Sequence, residues 1–305
     1  MTSVEGTQLL QSFSDAVAQL AEKTASSVVH VEVGGRGGTG IVWSNAGYVV
    51  TANHVVGDTQ APRLVTSDGR ELEAKVIGRD DYSDIALLKV EAKGMTPIQV
   101  ANAESMQVGQ FVLALANALG GKVSATSGIV TSKGRSIRGW WGRVVEDAVI
   151  SDAKLNPGYS GGPLVDAWGR LLGMNVAYFP GRGVAIPSSS LAQVVETLSK
   201  EGKVRKGFLG VIAEPIELPD ELTDKDKAGQ REGLLVRSVE KSSPARTAGV
   251  TIGDIILRLG EVRLADEHGL RKALTGDIVG KTLSLWILRG ERLTELKITP
   301  TEADS

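Results

Sequence analysis

The stretch that decides the fold class is Ser27–Thr51, "SVVHVEVGGRGGTGIVWSNAGYVVT". It holds three short runs rich in β-branched residues, separated by glycine and asparagine, which is the pattern of strands joined by tight turns. The glycines contain the G-x-G-x-x-G spacing of dinucleotide sites, but such a site needs a helix directly after them. A turn and another strand follow here. The stretch therefore predicts a glycine-rich hairpin and argues against a nucleotide-dependent oxidoreductase.

The same pattern continues to residue 187, with further runs such as "DIALLKV", "FVLALAN", "SGIVTS" and "GRLLGMNVAYF". Many short strands at this spacing are typical of an all-β sandwich or barrel. A helix, "SSSLAQVVETLSKEGKV", follows with serines available as N-caps. The remaining stretch, roughly 95 residues with strands and one short helix, suffices for a small α+β domain. We predict an N-terminal helix (1–25), a β domain (26–204) and an α+β domain (205–301).

Composition excludes several classes of function for this chain of 305 residues. A formal net charge of −2 gives no electrostatic reason to expect a nucleic acid or an anionic membrane as partner. The absence of cysteine rules out disulfides, a thiol nucleophile and thiolate metal sites. The three histidines, His30, His54 and His268, are far apart and lack a zinc-ligand spacing. No P-loop string is present. We therefore expect no metal and no cofactor.

The N-terminal 25 residues carry acidic residues and no unbroken apolar run, so they do not resemble a signal peptide. Their apolar residues mark one face of an amphipathic helix instead: Leu9, Leu10, Phe13, Val17, Leu20 and Ala21. No window approaches the ~18 apolar residues of a spanning helix. The sequence thus favours a cytoplasmic location, or an extracytoplasmic one if the chain has been trimmed.

The segment "NPGYSGGP", residues 156–163, surrounds Ser160 with three glycines. It is either a tight turn between strands or a nucleophile held on a strained turn beside bare backbone N–H groups. A nucleophilic serine needs a base and an orienting acid. His54 ends a β-branched strand, whereas His30 lies mid-strand and is expected to be structural. Asp84 directly precedes an apolar run, while Asp80 and Asp81 are expected to be solvated turn acids.

The order His54, Asp84, Ser160 within a β region resembles the chymotrypsin-type serine proteases. The strings "TANHVV", "SDIALLKV", "NPGYSGGPLV", "GVAIPSSSL" and "GFLGV" resemble the HtrA/Deg family, in which a chymotrypsin-like double β-barrel protease domain precedes a PDZ domain. The resemblance implies that Ser160 attacks the scissile carbonyl, that His54 is the general base and that Asp84 orients it. It implies an oxyanion hole formed by the N–H groups of Gly158 and Ser160.

The resemblance also implies where peptides bind. Leu155, Phe179 and Arg182 would line the pocket for the residue before the cut, and Ala177, Tyr178 and Phe179 would pair with the substrate backbone by strand addition. In the PDZ domain, a loop and a short helix would capture a peptide C-terminus. The residues concerned are Gly207, Phe208, Leu209, Gly210, Leu270 and Leu274.

The chain departs from the family pattern beside the nucleophile. Tyr159 stands where the family usually has Asn, and "ALANALGG" keeps Asn117 but loses the Pro and aromatic residue common there. The resemblance predicts an ATP-independent serine endopeptidase that cleaves unfolded or damaged proteins, without cofactors, and that forms a homotrimer. The alternative is a peptide-binding chaperone or scaffold whose triad is idle.

Overall fold

The computed structural model describes residues 3–102, 105–138, 144–176, 181–218, 230–275 and 278–303. The chain divides into two compact units, Met1–Lys203 and Val204–Ser305, which we call the N-terminal and C-terminal units. Among the described residues, no helix is long and apolar enough to cross a membrane.

The first half of the N-terminal unit is a closed barrel of six antiparallel strands, with a short helix α2 (Asn53–Val56) after the third. The strands are β1 (Val28–Val33), β2 (Arg36–Val42), β3 (Tyr48–Ala52), β4 (Arg63–Thr66), β5 (Glu71–Asp80) and β6 (Ile85–Val90), paired in the order β1-β2-β3-β6-β5-β4. The glycine-rich segment forms the β1–β2 hairpin, with Val33 opposite Arg36. The predicted hairpin is confirmed. Valine, leucine and alanine side chains fill the interior.

The second half of the unit is a second closed barrel. Its strands are β7 (Phe111–Ala116), β8 (Ser124–Arg138), β9 (Val144–Ser151), β10 (Pro163–Val165), β11 (Leu171–Asn175) and β12 (Gly183–Pro187), in the order β10-β11-β12-β9-β8-β7. An apolar cluster that includes Val112, Leu164 and Leu172 fills it, and Tyr159 is a member. The segment between β9 and β10 carries Ser160. The predicted fold, mainly β with two barrels, is confirmed.

Helix α3 (Ser188–Glu201) follows the second barrel. It buries Leu191, Val195 and Leu198 on one face, and each such side chain contributes about 1.5–3 kcal/mol. Gly202 ends the helix in the left-handed conformation, with its N–H bonded to the Leu198 carbonyl, so the helix stops short of the predicted residue 204. No serine side chain caps its N-terminus, because the N-cap position is Pro187.

Helix α1 (Ser3–Ala25) has the predicted amphipathic face, but only its C-terminal end is buried. Leu20 is 8% exposed, whereas Leu9, Leu10 and Phe13 are 57–72% exposed. The Phe13 ring meets the edge of Phe111 in β7, with the ring centres 5.7 Å apart.

The described residues of the C-terminal unit form an antiparallel sheet and two short helices. Its elements are β13 (Gly207–Phe208), β14 (Val211–Glu217), β15 (Glu232–Val239), α4 (Pro244–Thr247), β16 (Ile255–Leu259), β17 (Val262–Arg263), α5 (Glu267–Ala273), β18 (Leu283–Arg289), β19 (Arg292–Ile298) and β20 (Thr301–Glu302). The main sheet has the order β14-β15-β16-β18-β19, and β13 pairs with β20. Asp266 caps α5 by accepting the Gly269 N–H at 2.7 Å. The predicted α+β composition is confirmed.

Candidate active site

Ser160 lies in a tight turn between β9 and β10. The Tyr159 N–H donates to the Asn156 carbonyl at 3.1 Å, with Pro157 and Gly158 between them. Gly158 has a φ of 89°. Proline followed by a residue of positive φ is the signature of a type II turn, for which glycine is the favoured second central residue. The sequence "NPGY" therefore specifies the backbone conformation just before Ser160.

The glycines around Ser160 are required by close packing. A Cβ on Gly158 would overlap the Ala118 side chain, and one on Gly161 would overlap the Thr39 carbonyl. A Cβ on Gly162 would overlap the Leu115 carbonyl. Gly161 also has a positive φ, 84°, which disfavours any other residue. The glycine-rich segment around Ser160 is therefore a tight turn and, at the same time, the candidate site of the nucleophile.

Backbone hydrogen bonds tie the Ser160 segment to both barrels. The Ser160 carbonyl accepts from the Thr39 N–H of β2 at 3.0 Å, and the Gly161 N–H donates to the Asn175 carbonyl of β11 at 2.9 Å. A Cβ on Gly161 would also lie 3.0 Å from the Ala52 nitrogen, two residues before His54. The serine is thus held beside the end of β3, where α2 begins.

His54 is the second residue of α2, and Asp84 directly precedes β6. The His54 Nδ1 lies 2.6 Å from the Asp84 Oδ2, and the His54 backbone N–H donates to the Asp84 Oδ1 at 2.9 Å. Because a carboxylate oxygen accepts, Nδ1 carries the proton and Nε2 is left as the basic nitrogen. Asp84 is 2% exposed, while the His54 side chain is 31% exposed. The imidazole is therefore partly exposed to solvent, and the buried Asp84 carboxylate determines its tautomer.

Asp84 adopts a strained backbone conformation. Its φ is 58°, in the left-handed region that costs a non-glycine residue about 1–2 kcal/mol. The Asn53 N–H donates to the Asp84 carbonyl at 3.0 Å. Together with the two bonds to His54, this contact keeps the carboxylate at the start of α2. Strain held by such contacts is common at functional sites.

The neighbouring acids differ from the prediction in one respect. Asp80 is 3% exposed and accepts hydrogen bonds from the Tyr82 N–H, the Ser83 N–H and the Ser83 hydroxyl. It is a buried turn acid, so its prediction as solvated is wrong. The reason is that its carboxylate closes the turn that leads into Asp84. Asp81 is exposed and accepts from the Asn53 side-chain amide.

His30 has the structural role predicted for it. It is 8% exposed, and its Nδ1 lies 2.7 Å from the Asn117 carbonyl, which makes Nδ1 the donor. Asn117 follows β7, so this bond links the first barrel to the loop that reaches Gly158 through Ala118.

Only part of the predicted substrate pocket lies within the described residues. Leu155 is partly buried and packs against the apolar cluster of the second barrel. Arg182 is exposed, and so is Lys154, which directly precedes Leu155; both side chains can extend their charged heads into solvent. Ala177, Tyr178 and Phe179 lie outside the described residues.

The predicted peptide groove of the C-terminal unit is a cavity of ≈310 Å³ between β14 and α5. It brings together all six predicted residues, Gly207, Phe208, Leu209, Gly210, Leu270 and Leu274. Leu209 is 2% exposed and packs in the domain core, so its backbone is what faces the groove.

Further residues line this groove that the sequence alone did not indicate, namely Val211, Ile212, Ala213, Glu267 and Arg271. Glu267 precedes Leu270 by three residues and Arg271 precedes Leu274 by three. The i, i+3 spacing along the helix was a signal that could have found them.

Comparison with known proteins matches both units. Residues 38–174 match a trypsin-like peptidase domain, and residues 207–299 match a PDZ domain. A curated relative named "Probable periplasmic serine endoprotease DegP-like", from Chlamydia muridarum, is 34% identical over 273 residues, which are 87% of this chain and 54% of the relative. A relative of the same name from Pseudomonas fulva is 38% identical over 228 residues, 73% of this chain and 47% of the relative. The chain thus spans about half the length of these relatives.

Solved structures agree with this match. The HtrA-type protease AlgW with a decapeptide superposes with a TM-score of 0.78 at 26% identity and covers 94% of this chain and 99% of that one. The serine endoprotease from Yersinia pestis gives a TM-score of 0.76 at 28% identity, with 94% and 98% covered. Two barrels that carry a histidine, an aspartate and a serine in this order, followed by a PDZ domain, define a trypsin-like peptidase with a peptide-binding module. The chain belongs to the HtrA/Deg family of serine proteases.

The relatives correct one prediction. They are named periplasmic, so the expected cytoplasmic location is wrong. That expectation depended on the N-terminal 25 residues, and export signals are removed from mature chains, so these residues carry no evidence about the compartment.

Proposed function

We propose that this chain is an ATP-independent serine endopeptidase in which Ser160, His54 and Asp84 form the catalytic triad. The observation that carries the proposal is the His54–Asp84 pair, held at the end of β3 against the backbone of the Ser160 segment. Ser160 Oγ attacks the scissile carbonyl while His54 Nε2 takes its proton. His54 then gives that proton to the leaving amine. Asp84 keeps Nδ1 protonated and stabilises the imidazolium.

The developing oxyanion is bound by the backbone N–H groups of Gly158 and Ser160. A donor of this kind contributes roughly 3–4 kcal/mol to transition-state stabilisation. Two contacts support this assignment. The type II turn orients the peptide unit that carries the Gly158 N–H, and the bond from the Gly162 N–H to the Tyr159 carbonyl at 3.0 Å orients the unit that carries the Ser160 N–H.

The substrates are unfolded or damaged proteins, cut after apolar residues. Leu155 supplies an apolar wall, and the exposure of Lys154 and Arg182 keeps their charges out of an apolar pocket. The substrate backbone pairs with Ala177–Phe179 by strand addition. A cleavage profile on denatured protein tests this; dominant cutting after Asp or Glu contradicts it, and Arg182→Ile should then reverse that preference.

The PDZ groove binds peptide C-termini. The Gly207–Gly210 loop binds the terminal carboxylate through backbone N–H groups that follow Gly207, whose own N–H donates to the Leu274 carbonyl at 2.6 Å. Leu270 and Leu274 contact the last side chain. A calorimetric titration of the full chain carrying Ser160→Ala, which avoids cleavage, compares one apolar peptide with a free and an amidated C-terminus. Binding of the free form alone is expected, and equal binding of both contradicts this mode.

The protein assembles as a homotrimer, as the family resemblance implies. The exposed Leu9, Leu10 and Phe13 of α1 offer an apolar contact surface for this assembly. Sedimentation velocity should give a trimer for the wild type and a smaller species for Leu9→Glu. A monomeric wild type across micromolar concentrations contradicts the proposal.

The triad is tested by labelling with a fluorophosphonate, which reacts with an activated serine. Wild type should label at Ser160, and His54→Ala should label at least about 10³-fold more slowly because the base is lost. His268→Asn, which alters a histidine of the C-terminal unit, is the control and should label. Absence of labelling in the wild type means that the triad is idle.

A further inference from the structure

The residue between the two proposed oxyanion donors is unusual in this chain. Tyr159 lies between Gly158 and Ser160, where the family usually has asparagine. It is 3% exposed, and its ring packs in the apolar cluster of the second barrel with Val112 and Leu172. A buried tyrosine ring removes about 150–250 Å² of surface from water. The turn that carries the nucleophile is therefore anchored in the barrel core by one large side chain.

The Tyr159 hydroxyl extends this anchor toward the substrate pocket. Burial raises the pKa of the phenol, while a side-chain hydrogen bond with Thr126 of β8 acts in the opposite direction. The Thr126 hydroxyl in turn donates to the Lys154 carbonyl at 2.8 Å. Lys154 precedes Leu155 in the pocket wall, so the turn and the wall are connected through Thr126.

A second anchor reaches the turn from the first barrel. Thr39 of β2 is fully buried, and its hydroxyl donates to the Gly158 carbonyl at 2.7 Å. The same hydroxyl accepts from the Asn117 N–H at 3.0 Å. One threonine therefore binds both the turn and the loop that packs against it through Ala118.

These two anchors connect the oxyanion turn to both barrels, Tyr159 to the second and Thr39 to the first. We propose that Tyr159 and Thr39 are positioning residues that hold the Gly158 and Ser160 N–H groups in place for the tetrahedral intermediate. This rests on the proposed catalytic role of Ser160. Neither side chain touches substrate. Their effect is geometric, because a misplacement of about 1 Å at a reacting centre lowers the rate about 10²-fold.

Two pairs of variants test the hydroxyl of Thr39 and the ring of Tyr159 separately. Thr39→Val keeps the shape of the side chain and removes the hydroxyl, which leaves the Gly158 carbonyl and the Asn117 N–H without that partner; Thr39→Ser restores it. Tyr159→Ala removes the ring, whereas Tyr159→Phe keeps it. We expect Thr39→Val and Tyr159→Ala to lower kcat about 10²-fold at nearly constant KM. Thr39→Ser should stay within about threefold of the wild type, and Tyr159→Phe, which keeps the ring and loses only the contact with Thr126, should lose far less activity than Tyr159→Ala.

A readout specific to the oxyanion hole accompanies the kinetics. A peptide aldehyde forms a tetrahedral adduct that uses the same N–H donors, whereas a product peptide does not. In Thr39→Val and Tyr159→Ala the aldehyde should bind weaker by the factor lost from kcat/KM, with product affinity unchanged. Matched controls are Thr66→Val, which removes another buried hydroxyl of the first barrel, and Leu191→Ala, which opens a cavity beneath helix α3. Both should lower the melting temperature and leave kcat unchanged.

Each result decides the proposal. It is overturned if Thr39→Val or Tyr159→Ala keeps wild-type kcat, if Thr39→Ser loses as much as Thr39→Val, or if the controls lose activity equally. If Tyr159→Ala does not fold, Tyr159→Leu fills part of the space and is held to the same criterion. Wild-type labelling at Ser160 comes first, so a failed nucleophile assignment is recognised before any variant is compared.

Discussion

Replacing Gly158 by alanine should impair catalysis more than it impairs folding. Two costs are visible in the structure. The φ of 89° disfavours any residue with a Cβ by about 1–2 kcal/mol. The added methyl would overlap the Ala118 side chain, and such overpacking costs about 1–3 kcal/mol. The sum, roughly 2–5 kcal/mol, can be relieved only by moving the turn, because β2 and β11 hold the segment after it.

Moving the turn displaces the Gly158 N–H from the oxyanion. Loss of one such donor lowers kcat by about 10²–10³. We therefore expect Gly158→Ala to lower kcat about 10²-fold on a short chromogenic peptide, with KM nearly unchanged. The double variant Gly158→Ala/Ala118→Gly removes the overlapping side chain but not the dihedral cost, so it should recover part of the lost kcat.

The control is Gly94→Ala, since Gly94 has a similar φ of 77° and no atom lies within 4 Å of the point that a Cβ would occupy. It should lower the melting temperature slightly and leave kcat intact. Two results would refute the reasoning. One is a Gly158→Ala enzyme within about twofold of wild-type kcat. The other is a double variant no more active than the single one, because packing against Ala118 would then not be the cause.

Three further outcomes are expected. Asp84→Asn should lower kcat about 10⁴-fold and Asp81→Asn only slightly, because the Asp84 carboxylate lies 2.6 Å from the His54 Nδ1 whereas Asp81 accepts from the Asn53 amide; steady-state kinetics in which Asp81→Asn is the more damaging change would assign the orienting role to Asp81. Burial tends to raise the pKa of Asp254, but hydrogen bonds from Arg289 and Thr251 outweigh it and lower that pKa below its ordinary 3.8. This stabilisation is present above about pH 4 and is lost as the pH falls through the lowered pKa, so the melting-temperature gap between wild type and Arg289→Leu should shrink on acidification; a constant gap down to about pH 2.5 contradicts this. Deleting residues from 205 onward should leave a folded unit that still cleaves short peptides but processes unfolded proteins poorly; a truncated chain without a cooperative melting transition would show that the unit needs its partner.

Most of the fold, and most residues of the candidate site, could be predicted from the sequence alone. Alternating β-branched runs and turn residues predicted the barrels, because strand period and turn chemistry are local properties. Asp84 was recognisable because it adjoins a buried run. The burial of Asp80 was not, because it depends on a turn whose three donors come together only when the chain folds.

The contacts of Thr39 show the other limit of sequence reasoning. Its hydroxyl binds the Gly158 carbonyl across 119 residues of sequence and the Asn117 N–H across 78. No local pattern marks a threonine for such a role, because its partners come from the other barrel. Tyr159 could be predicted only in part. The sequence showed that it departs from the family pattern, but not that its ring packs in the core of the second barrel.

The division of the proposed triad between two barrels has a consequence for the newly made chain. His54 and Asp84 belong to the first barrel. Ser160 lies between β9 and β10 of the second barrel and is translated some 76–106 residues later. At the synthesis rates of about 5–20 residues per second, several seconds separate the emergence of base and nucleophile from the ribosome. A nascent chain therefore has no competent site until its second barrel closes onto the first. An unfinished chain therefore lacks the proposed triad with which to cut other proteins, and a fragment that contains one barrel alone lacks it as well.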